Sequence, residues 1–120
     1  MKITGSLLVS GGLFPQVYSP TSSLTPSATV SVNFTSASIF ELTPNANTML
    51  NLTEVQVGVN RTIIVTGAGG GYTLQLNVEG ESGTFNKISG NYNDAGSTKN
   101  FINIQSVAPK EFWYTIAQPI

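Results

Sequence analysis

Five residues, Gly67-Ala68-Gly69-Gly70-Gly71, have the spacing of a backbone cradle for an anion. Unhindered N–H groups in such a run can converge on a phosphate. A nucleotide loop of this kind needs a following Lys-Ser/Thr, and a dinucleotide fingerprint needs a last glycine and then a helix. Here Tyr72 stands where that glycine belongs and strand-like alternation follows, so the simpler reading is a hairpin loop using positive φ. Glu79 and Glu81, two apart, can share a strand face as paired carboxylates do in glycoside hydrolysis. They sit at a turn with no apolar pocket implied to raise either pKa, which favours solvated carboxylates. Asn91, Tyr92, Asn93 and Asp94 form a polar loop that offers oxygen ligands for calcium or a surface for a bound ligand. EF-hand spacing and its terminal glutamate are missing, so the calcium reading yields to a polar turn. Phe112-Trp113-Tyr114 offers aromatic faces for a sugar ring. Alternation places Phe112, Tyr114 and Ile116 on one side and Trp113 on the other, which suits core or subunit packing better.

The chain has no histidine and no cysteine. The usual general base near neutral pH, the commonest metal ligand, disulfides and thiolate chemistry are therefore excluded together. An enzyme is not expected, nor a cofactor or a metal. Charged residues are 9% of the chain, against about 25% in ordinary domains. Thirteen serines, fourteen threonines and eleven asparagines must supply much of the surface. The five basic residues, Lys2, Arg61, Lys87, Lys99 and Lys110, form no stripe along which phosphates could lie, so nucleic-acid binding is not expected. No apolar run is long enough for a membrane span, and Leu7–Val9, broken by Ser10-Gly11-Gly12, is too short for a signal-peptide core. Neither membrane insertion nor secretion by the general pathway is expected. Asn33-Phe34-Thr35, Asn51-Leu52-Thr53 and Asn60-Arg61-Thr62 match the glycosylation triplet, but such matches arise readily in so Asn- and Thr-rich a chain.

The elements that must position these residues read as strands throughout. Residues 1–26 divide into a glycine-broken start and a proline-rich spacer, with Leu7, Leu8, Val9, Leu13 and Phe14 as the apolar side chains of an extended attachment arm. Tyr18 and Leu24 are placed to dock onto the body. From Ser27 the alternation tightens: Val30, Val32 and Phe34, then Ile39–Leu42, Met49–Leu52 and Val55–Val59. Val55–Val78 reads as a half-buried hairpin about the glycine turn and as the centre of the fold. Phe85–Ile88, Phe101–Val107 and Glu111–Ile116 complete about nine short strands. The expected fold is all-β, an antiparallel jelly-roll-like β-sandwich over 27–120 behind the N-terminal arm. Its expected core includes Val30, Val32, Val57, Ile64, Leu74, Leu76, Ile104 and Phe112.

Several stretches together carry a resemblance: ITGSLLVSGG, SLTPSATVSVNF, RTIIVTGAGGGYTLQLNVEG, SGTFNKISGNYND, KNFINIQSV and EFWYTIAQ. They resemble the β-domains of tailed-bacteriophage fibre and capsid-appendage proteins. The likeness spans nearly the whole chain and rests on strand pattern and turn vocabulary. It implies a structural virion protein at the particle surface, a head fibre, capsid decoration or short tail fibre, forming a homotrimer. It also implies that the arm contacts other capsid or tail proteins. A single segment of the SGSL kind favours a head fibre or decoration over a long tail fibre. The alternative is a carbohydrate- or receptor-binding module for a host-surface glycan, using the loop Asn91–Asn100 and exposed aromatics.

Overall fold

The computed structural model describes residues 21–120, in which every regular element is a strand. The elements are β1 (Ser22–Ser23), β2 (Thr29–Asn33), β3 (Ile39–Leu42), β4 (Thr48–Thr53), β5 (Asn60–Thr66), β6 (Leu74–Val78), β7 (Thr84–Ser89), β8 (Lys99–Ala108) and β9 (Glu111–Ala117). Alternation produces them: β2 buries Val30 and Val32 between outward Thr29 and Ser31, and β8 buries Asn100, Ile102, Ile104 and Ser106 between exposed partners.

The strands form two sheets, a six-stranded one in the order β1-β3-β5-β8-β9-β7 and a three-stranded one in the order β2-β4-β6. From β1 to β6 the chain changes sheet at every step. Each return lies one strand further on and parallel to the last, as Thr29 beside Met49 and Thr48 beside Leu74 show. Parallel neighbours need a crossover, usually a helix. Here the crossover is a strand of the other sheet, which makes this half a short solenoid-like stack of coils. β8 and β9 then add antiparallel to β5 and to each other, and β7 lies parallel to β9.

This connectivity corrects two expectations. The sheets are mixed, not antiparallel, and the stacking of successive coils is solenoid-like where a jelly roll would pair its strands antiparallel. Val55–Val78 is not a hairpin: β5 and β6 belong to different sheets, and the glycine run turns the corner between them. Val55–Val59 is not a strand either. Glu54 takes φ 55° and Gly58 φ 93°, Val59 N–H bonds back to Gln56 O at 3.2 Å, and Val57 is left 57% exposed instead of in the core.

Both inner faces share one core. Phe40, Leu42, Ile63, Val65, Ile102, Ile104 and Phe112 of the larger sheet meet Val30, Val32, Leu50, Leu52 and Val78 of the smaller, with Phe34 and Ala37 from the β2–β3 connection. Ile64, expected inside, faces outward with only partial cover, while Ile63 and Val65 are fully buried. The run Ile63-Ile64-Val65 is apolar on both phases, so the pattern by itself offers no choice between them. Leu74 and Leu76 pack against this core but stay half-buried, because β6 ends its sheet. Ser22–Ser23 pair with β3, and Leu24 docks against the core with its N–H on Glu41 O at 2.8 Å.

Candidate functional site

The glycine corner does bind an anion, and the anion belongs to the chain itself. Asp94 Oδ2 accepts the N–H groups of Gly70 and Tyr72, both at 3.0 Å, and Oδ1 accepts that of Ala68 at 3.1 Å. The Tyr92 hydroxyl donates to the same Oδ1. Burial disfavours the Asp94 carboxylate, but the Tyr92 hydroxyl and the three N–H groups outweigh it and hold the carboxyl at about 2. Burial first, then the bond to Asp94 and its charge, push the Tyr92 phenol well above its usual value. The N–H groups that a phosphate would need are thus already donated. Gly67 permits the approach: a Cβ there would lie 2.2 Å from Ala95 O. Gly67 N–H reaches Thr98 O at 2.7 Å, Gly69 N–H reaches Asp94 O at 2.7 Å, and Ser97 N–H returns to Gly67 O at 2.9 Å.

A buried amide braces this latch from below. Asn100 Nδ2 donates to Val65 O at 3.0 Å and Asn93 O at 2.8 Å, while its Oδ1 accepts Asn93 N–H at 2.8 Å and Gln118 Nε2 at 2.7 Å. Of the loop Asn91–Asp94, Asn91 Oδ1 accepts from Lys87 Nζ at 2.6 Å and Asn93 Oδ1 accepts Ala95 N–H at 2.9 Å. These side chains spend much of their hydrogen-bonding capacity within the fold. Glu79 and Glu81 do not converge on one point. Glu79 accepts Glu54 N–H at 2.9 Å, and exposed Glu81 pairs with Lys110 at 2.7 Å. Among the described residues no group of three or more metal-ligating side chains occurs. Leu7, Leu8, Val9, Leu13 and Phe14 lie outside the described residues.

The open site lies elsewhere. The six-stranded sheet continues through β9 and β7 past the point where the smaller sheet stops at β6. A cleft of about 480 Å³ follows, lined by Met49, Leu74, Gln75, Leu76, Asn77, Ser82, Phe85, Tyr92, Ile102, Tyr114 and Ile116, none of them charged. Its aromatic wall is ordered: Phe85 stacks on Phe112 at 4.8 Å between centroids and meets Tyr114 edge-on at 6.5 Å. Burial pushes the Tyr114 phenol up, so it stays a neutral donor. Among the described residues Asn77 Oδ1, buried beside the cleft, has no hydrogen-bond partner. A buried acceptor left unpaired is costly, which marks this wall as incomplete.

The aromatic trio divides as its alternation predicts. Phe112 is buried and Tyr114 half-buried, whereas Trp113 is 45% exposed on the outer face of the large sheet. Its cross-strand neighbours are Gln105 and Asn86, with Asn60 beyond Gln105. Leu74 and Leu76 were legible in the sequence as strand residues but not as cleft walls, because no local signal tells a strand that its neighbour is missing. Asn100 was legible in principle, since it occupies the buried phase of β8. No family model, characterised relative or solved structure matches this chain.

Proposed function

We propose that this protein is a structural, non-enzymatic component of a tailed-bacteriophage particle: a head-fibre, capsid-decoration or short-fibre subunit exposed at the surface. In this reading the N-terminal arm ahead of β1 attaches it to other virion proteins, and the strands β1 to β9 form the body of a homotrimer. The supporting observation is the outer face of the six-stranded sheet. Ile64, Phe101 and Ala117 lie side by side there, next to a row of Ile39, Thr62, Asn103 and Thr115. Phe101 is 48% exposed, Glu41 and Lys99 flank this patch, and Glu111 shares the same face further along β9, where Asn86 Nδ2 donates to it at 3.3 Å. A sheet face of neutral polar and apolar side chains associates with little desolvation cost compared with a charged one. The test is electron cryomicroscopy of intact particles beside particles lacking the protein. Loss of a surface density of matching size supports the assignment, and indistinguishable particles overturn it.

A second reading, a carbohydrate- or receptor-binding module, draws on the Trp113 row. An exposed indole flanked by Asn86 and Gln105 offers a stacking face with amide donors and acceptors beside it, as neutral glycans require. Quenching or shift of the single tryptophan's fluorescence by a glycan, abolished in Trp113→Ala, would support it. Absence of binding across a glycan array would remove it.

A further inference from the structure

We draw no further inference here: the strongest candidate, the uncharged cleft between β6 and the aromatic wall of Phe85 and Tyr114, carries none because nothing in the structure shows what covers it.

Discussion

Asp94 does at residue scale what a bound phosphate would do in a nucleotide loop, and its protonation therefore controls the glycine corner. Its folded pKa of about 2 lies below the unfolded value near 3.9. The stabilisation is thus fully present above about pH 4 and is lost as pH falls through about 2. Urea unfolding of the wild type and Asp94→Asn at pH 7, 4 and 2 should show a gap of about 1–2 kcal/mol at pH 7 that closes at pH 2, the partly exposed site limiting its size. A gap independent of pH would mean that the carboxylate charge is not what holds Ala68, Gly70 and Tyr72. Asn100 makes the complementary case. Replacing it with Ala strands Asn93 N–H and the carbonyls of Val65 and Asn93 in a buried position, and should cost about 2–3 kcal/mol in the same measurement. A cost below about 0.5 kcal/mol would show that the backbone finds other partners.

Among the elements, the sequence makes strands visible and leaves their partners hidden. Thr29–Asn33, Ile39–Leu42 and Lys99–Ala108 were legible because one face of each is buried and the other wet, which alternation records directly. Pairing was not legible, because a strand that crosses to the opposite sheet has the same alternation as one that folds back beside its neighbour. The Gly67–Gly71 run serves a sheet-to-sheet corner as readily as a hairpin, and nothing in its five residues separates the two. In the same way, Asp94 stood out as a polar loop residue, yet its partner lay 26 positions away at Ala68. Phase within β5 can be settled by experiment. Ile63→Ala should destabilise by about 2–5 kcal/mol, and Ile64→Ala by less than about 1, since only the first leaves a cavity between the sheets. Equal effects would contradict the register Ile63 to Ile102 and Ile64 to Phe101.

For the whole molecule, the question is what covers the outer face of the large sheet. Hydroxyl and amide groups far outnumber charged ones in this chain and its net charge is only −1, so like copies repel one another weakly. Phe101 and Trp113 are the largest exposed side chains of that face, and side chains of this kind form the centres of protein interfaces. Association through them should be driven by burial of neutral surface and should respond little to salt, because ion pairs contribute little and screening has little to act on. Light scattering of the full chain should give three times its 12.7 kDa mass, unchanged between low and high salt. Phe101→Lys together with Trp113→Lys places two like charges on each copy's face and should reduce the species to one chain while the strand-rich circular dichroism stays the same. Both side chains point away from the core, so folding gives no reason for the signal to change. A monomer in the unsubstituted chain at micromolar concentration would remove self-association as the role of this face. A trimer that survives both substitutions would move the contact to another surface, with the β6 edge the next to be tested.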